Sequence, residues 1–376
     1  YLELAEQFDD KDINFFRIKY FKAFYLYRIK SYSLSIELIR KFDLELNLSK
    51  DNFFNFKILD LNSKNYEKIK IQKKSLELIF KRNNILTMSY QNFENGSSLL
   101  NETINNYKKF YNRDLFNNIK KVSQPLDNNL FFLVGFPRSG TTLLDSILRS
   151  HSRTTIIEEK PYFLNCRHDY FKNNNNYLES VINIQESTII ELRKKYFEQV
   201  SAEYDIRGKV VIDKFPLSIV ELGFIKIIFP EAKIIFSIRH PCDVILSCFF
   251  SSFKINEAMF NFLDWNNTIR FYNLVFSLFE NYENSLDQNI HYIKYENVVI
   301  DFKNSINNLL EYMDLNFEDS LNNFYKTANN REIISTPSYT QVTKPLYKSS
   351  IGKWKNYKMY INPEKEVRKW IKKFGY

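Results

Sequence analysis

From Tyr1 to about Lys120, apolar residues recur at three- and four-residue spacing, with few strand-like alternations and almost no Gly or Pro to punctuate strands. This pattern predicts an all-α region. A polar stretch with a proline, Ser123 to Asn129, follows it and marks a boundary that divides the chain into 1–120 and 121–376. Beyond it, short apolar runs alternate with helical stretches. Leu130 to Gly135, Lys209 to Ile212, Lys233 to Ile238 and His291 to Lys294 read as buried strands. Helices are expected over Gly140 to Arg149, Ser187 to Tyr204, Ser218 to Ile228, Pro241 to Phe253, Phe260 to Tyr282 and Phe302 to Met313. Strands alternating with helices imply crossover connections, hence an α/β fold in three layers with a parallel sheet covered on both faces.

Three helical segments of similar build begin near Asn14, Leu48 and Ile85, a period of roughly 34 to 37 residues. That spacing suits stacked helix pairs of the tetratricopeptide kind, a surface that could take a peptide or protein. Bulky Phe, Tyr and Ile nevertheless stand where a close helix contact favours Ala or Gly, so a plain helical domain stays equally open.

Composition narrows the picture only a little. At 376 residues the chain accommodates two domains. The 35 Phe and 25 Tyr against 7 Gly read as a bias of the source genome. The net charge of +9 suits an anionic ligand, but Lys and Arg are scattered among acids, which argues against nucleic acid as a partner. Cys166, Cys242 and Cys248 show no metal-like spacing and fit a reducing compartment, so the cytoplasm is expected. No run approaches the roughly 18 to 20 apolar residues of a membrane span. The first residue is Tyr1, which leaves an upstream signal or anchor open.

The most informative segment is Leu133-Val134-Gly135-Phe136-Pro137-Arg138-Ser139-Gly140-Thr141-Thr142, a strand, a Gly-bounded loop and the start of a helix. Main-chain N–H groups of such a loop and the positive end of the helix suit a phosphate. A nucleotide-hydrolysing loop would place a lysine after its second glycine, where Thr141 stands, so γ-phosphate chemistry is the poorer reading. Arg138 lies within the loop, where its planar fork suits an anion.

Three more segments keep order and spacing with it: Asp213-Lys214-Phe215-Pro216 at a strand end; Arg239, also at a strand end, with Ser247 eight positions later; and Ser335 to Tyr347 followed by Gly352-Lys353-Trp354. Together they resemble the sulfotransferases that use 3′-phosphoadenosine-5′-phosphosulfate (PAPS), especially the tyrosylprotein branch and its bacterial relatives with helical repeats in front. The likeness runs from about Leu130 to Tyr357.

The resemblance implies transfer of a sulfuryl group from PAPS to a hydroxyl, leaving adenosine 3′,5′-bisphosphate (PAP), with no metal required. Arg138, Ser139, Gly140, Thr141 and Thr142 would hold the 5′-phosphosulfate, and Arg239 and Ser247 the 3′-phosphate. Lys214 would face the bridging oxygen, and Tyr295 would line the adenosine side. Ser338, Gln341, Lys344 and Lys353 would belong to a lid, with Ser338 near the sulfuryl group. Glu159, 21 positions beyond Arg138 (159 − 138), would be the general base. For Glu158 a solvated surface place is the stronger expectation.

Ser218 replaces the Asn usual after the Asp-Lys segment. Ser251 stands where the tyrosylprotein enzymes carry a further basic contact, so a peptide tyrosine is not singled out over a saccharide or a small-molecule hydroxyl. Two rivals remain: a kinase-like phosphotransferase, and an inactive helical-repeat interaction protein. The oligomeric state is open, a homodimer included.

Overall fold

The computed structural model describes residues 13–46, 52–119, 122–126, 129–172, 177–285, 290–329 and 346–376. Its contacts divide into two units, Tyr1–Ser98 with Phe249–Thr268 and Lys353–Asn362, and Leu99–Cys248 with Ile269–Gly352 and Pro363–Tyr376. Two segments on the far side of the expected boundary at residue 120 therefore belong with the first unit.

The first unit is built from the helices Ile13–Arg28, Tyr32–Leu46, Asn52–Lys68 and Gln72–Ser89. The helix pairs begin at 13 and 52, and the expected start near Ile85 falls inside the helix Gln72–Ser89. The repeat is legible at 40 residues, where Ile29-Lys30, Ser35 and Glu37-Leu38-Ile39 match Ile69-Lys70, Ser75 and Glu77-Leu78-Ile79. Both pairs turn the same way. Lys30 (φ 65°) and Lys70 (φ 62°) take the left-handed position, and the following N–H closes back on the helix, Ser31 to the Leu26 carbonyl and Ile71 to the Tyr66 carbonyl, each at 2.9 Å. Lysine where glycine is usual concealed these turns from sequence reading.

Ala23, Ile39, Ile58 and Leu61 form a small core between the pairs. Beside it the Asn65 amide donates to Ser35 Oγ at 2.8 Å, and that hydroxyl donates to the Ala23 carbonyl at 2.8 Å. The fully buried Arg82 ties this unit to its later segment. It pairs with Asp60 at 2.6 Å and donates to the Phe249 and Phe250 carbonyls, both at 3.1 Å.

The second unit contains a five-stranded parallel sheet in the order β2-β3-β1-β4-β5. The strands are β1 Leu130–Gly135, β2 Thr154–Glu158, β3 Val210–Lys214, β4 Lys233–Ile238 and β5 Ile290–Lys294. Side chains alternate across β1, so Phe131 and Leu133 enter one core with Leu144, Ile147, Leu309 and Phe324. Phe132 faces Phe163 and Phe229 on the other side. Burial of both faces explains the continuous apolar run of β1.

Four expected strands are present and β2 is an addition. Its five residues lie close behind a helix and carry little period to read. Strand β3 extends past Ile212 to include Asp213 and Lys214, both buried. The expected helix Ser218–Ile228 divides into a 3₁₀ turn at Pro216–Glu221 and a helix at Leu222–Ile228, and the helix Trp265–Ser285 starts five residues later than expected. Asp264 sets that start, its carboxylate accepting from the Asn267 N–H at 2.8 Å.

Candidate active site

Each of the five strands delivers an expected site residue at or just beyond its C-terminal end, as the rule for open parallel sheets anticipates. The loop 136–140 follows β1, Glu159 follows β2, Lys214 ends β3, Arg239 follows β4 and Tyr295 follows β5. From β1 the chain first lays β2 at one edge and β3 between them, then crosses to β4 and β5 on the other side. Such a reversal leaves an open crevice between the loops after β1 and β4.

The first half of the site occupies that crevice. Gly135 permits the approach of the loop, because a Cβ there would stand 2.6 Å from the Ser237 carbonyl and 2.7 Å from Ser139 Oγ. Arg138 (φ 70°) and Gly140 (φ 106°) turn the chain into the helix Thr141–Leu148. Ser237 Oγ secures the turn by donating to the Ser139 carbonyl at 3.0 Å.

Arg138 Nε donates to Ser247 Oγ at 3.0 Å, while Arg239 donates to the Arg138 carbonyl at 3.2 Å and to the Ser350 carbonyl at 2.6 Å. The Arg239 guanidinium lies 4.9 Å from the Tyr295 ring centre. Burial and the charge of Arg239 pull the Arg138 guanidinium down to about 10, the cost of crowding two cations, which a bound anion would offset. Arg138, Gly140, Thr141, Thr142, Arg239 and Tyr295 line one cleft together with Leu346 and Tyr347. Ser139 Oγ and Arg239 Nε are buried and lack a hydrogen-bond partner among the described residues, which is what a site shaped for a polar ligand leaves behind.

The second half surrounds Lys214, whose side chain is fully buried. Its ammonium lies 2.8 Å from Glu159, 3.4 Å from Glu158 and 3.7 Å from Asp145. Burial alone would lower its pKa, but Asp145, Glu159 and Glu158 outweigh burial and raise it. Arg149 completes the cluster, 2.9 Å from Asp145 and 4.0 Å from Glu158.

Glu159 adopts a left-handed backbone (φ 49°) held by its own N–H, which donates to the Lys214 carbonyl at 2.8 Å. Backbone strain of this kind persists where the surroundings enforce it, often at functional sites. Glu158 is not the solvated residue that was expected. It pairs across the β2–β3 register with Lys214 and keeps only 13% side-chain exposure.

Asp145 and Arg149 escaped sequence reading, although an acid within the apolar run Leu143-Leu144-Asp145-Ser146-Ile147-Leu148 is itself a signal of a buried partner. Ser338, Gln341 and Lys344 lie outside the described residues. Lys353 is placed in the first unit, where its ammonium pairs with Glu67 at 2.7 Å. Among the described residues no three His, Cys, Asp or Glu side chains are placed so that they could hold a metal ion.

The chain is 26% identical over 312 residues to an uncharacterized protein of Aquifex aeolicus (80% of this chain, 40% of that protein). It is 23% identical over 235 residues to protein-tyrosine sulfotransferase A of Caenorhabditis elegans (59% of this chain, 60% of that protein). It thus spans about two fifths and three fifths of the length of these relatives. The sulfotransferase domain of the Synechococcus PCC 7002 olefin synthase aligns at 18% identity and a TM-score of 0.45, over 69% of this chain and 98% of that one. The model of the sulfotransferase family matches residues 131–319, half of the chain and its sheet from the second residue of β1 through β5, and the chain belongs to that family.

Proposed function

We propose that this protein transfers a sulfuryl group from PAPS to a hydroxyl acceptor. The observation that carries this reading is the convergence of Arg138 and Arg239, from the ends of two neighbouring strands, on one cleft beside Ser247. Two guanidiniums and a main-chain cradle suit a ligand phosphorylated at both ends of its nucleoside. Arg138, Ser139, Gly140, Thr141 and Thr142 would hold the 5′-phosphosulfate, and Arg239 with Ser247 the 3′-phosphate. The ring of Tyr295, already stacked near the Arg239 guanidinium, borders the same cleft and suits the adenosine. PAPS supplies the activated sulfuryl group; the chain supplies binding, orientation and proton handling.

Glu159 is the base in this reading, taking the proton of the acceptor hydroxyl at a carboxylate oxygen. Its 34% side-chain exposure leaves it reachable, unlike the 0% of Asp145 and 13% of Glu158. Lys214 offsets charge on the departing phosphate oxygen. Ser338, Gln341, Lys344 and Lys353 are proposed lid residues on the resemblance alone. Glu159→Gln tests the base. PAP should bind within about twofold of the parent while turnover falls on the order of 10²-fold. Turnover equal to the parent's would remove Glu159 from that role.

A further inference from the structure

Glu159 and Lys214 are assigned opposite tasks, one to accept a proton and the other to present positive charge, yet they are paired at 2.8 Å. The Glu159 oxygen that accepts from the ammonium is already engaged, so this contact has to open for it to take the proton of an acceptor. Separation would leave Lys214 as a fully buried cation, which is costly unless another carboxylate remains beside it.

We infer that Asp145 is a positioning residue, the permanent counter-ion of Lys214, which keeps the ammonium charged and in place when Glu159 turns away. This rests on the sulfotransferase reading for its purpose, but its geometry is independent of it. Asp145 is fully buried on the helix that follows the phosphate loop, so it has no solvent-exposed alternative. One of its oxygens is held by Arg149 Nε at 2.9 Å, which aims the other at Lys214 at 3.7 Å.

The charged groups around Lys214 are Asp145 and Arg149 from that helix and its end, Glu158 and Glu159 from the end of β2, and Asp213 beside it on β3. Asp213 points to the opposite face of the sheet, where the Tyr196 hydroxyl donates to it at 2.9 Å. Two cations face three carboxylates on the Lys214 side, so one carboxylate can depart without leaving a buried positive charge uncompensated. Glu159, the most exposed of the three, is the one free to do so.

The test is a titration that needs no turnover. In full-length protein labelled with [13C]lysine, the Lys214 signal is identified by its absence from Lys214→Arg. The parent signal should titrate above the ordinary lysine range, held up by Asp145, Glu159 and Glu158 against burial, and in Asp145→Asn its midpoint should drop by about one unit or more. A Lys214 midpoint unchanged in Asp145→Asn would overturn the assignment.

Should Asp145→Asn not fold, the double variant Asp145→Asn/Lys214→Met decides. Recovery of folding supports the assignment, because the fault then lay in the loss of the Asp145 counter-ion from beside Lys214, and failure to recover overturns it. Retained turnover in Glu159→Gln would remove the base reading while leaving this result standing, so the two failures are distinguishable.

Discussion

Arg239 Nη1 donates to the main-chain carbonyl of Arg138 at 3.2 Å, so the two arginines read from motifs a hundred residues apart hold each other in register. The cation of one site is part of the scaffold of the other. Arg239→Met should therefore weaken PAP binding by roughly 10- to 100-fold, the loss of one or two charge-assisted hydrogen bonds. Equilibrium binding of PAP, with circular dichroism to verify the fold, checks this. Affinity equal to the parent's would place the 3′-phosphate elsewhere.

Gly140→Ala probes the cradle. Its φ of 106° is unfavourable for any residue with a Cβ, and that atom would lie 2.9 Å from the Tyr295 ring. Backbone strain alone costs about 1–3 kcal/mol. The expected outcome is a lower denaturation midpoint together with loss of the thermal stabilisation by PAP that the proposed function predicts.

Asp213 predicts a pH dependence of stability. Burial raises its carboxyl from 3.8 to about 7, against the opposing effects of the Tyr196 hydroxyl and Lys214. The folded chain then holds a proton that the unfolded chain has lost between those values, so stability falls as pH rises from about 4 to about 7. Asp213→Asn keeps an acceptor for Tyr196 and removes that slope. Denaturation midpoints should favour the variant at pH 8 and converge with the parent near pH 4. A parallel pair of pH curves would contradict the burial argument.

In the first unit, Arg82→Met should destabilise by about 1–3 kcal/mol, because Asp60 loses its buried partner while keeping Lys64 and Ser252, and the Phe250 carbonyl loses the Arg82 donor. The double variant Arg82→Met/Asp60→Asn should regain part of the loss, as read from urea denaturation.

The α/β unit was legible where one feature dominates locally. The apolar run of β1 and β4 and the Gly-bounded loop gave both strands to the residue. Arg138 is singled out by its place in the phosphate-type loop and Arg239 by the resemblance of its segment to the family's, and both line one cleft. Features set by distant partners were harder to read. Asp213 and Lys214 were placed after the strand, since charges seldom end a buried strand unless carboxylates and a tyrosine receive them. Asp145 and Arg149 were overlooked for the same reason, their meaning being supplied by Lys214 some seventy residues on. The repeat period of the first unit was misjudged because Lys30 and Lys70 take a left-handed turn without the glycine that would announce it.

One cleft is proposed to grip both phosphorylated ends of an adenosine, and calorimetry with PAP is the sharpest check of that grip. The folded protein should bind PAP at one site and bind ATP at least about tenfold more weakly, since ATP lacks the 3′-phosphate proposed to meet Arg239 and Ser247. Absence of binding heat with PAP, or equal affinity for ATP, would contradict the account.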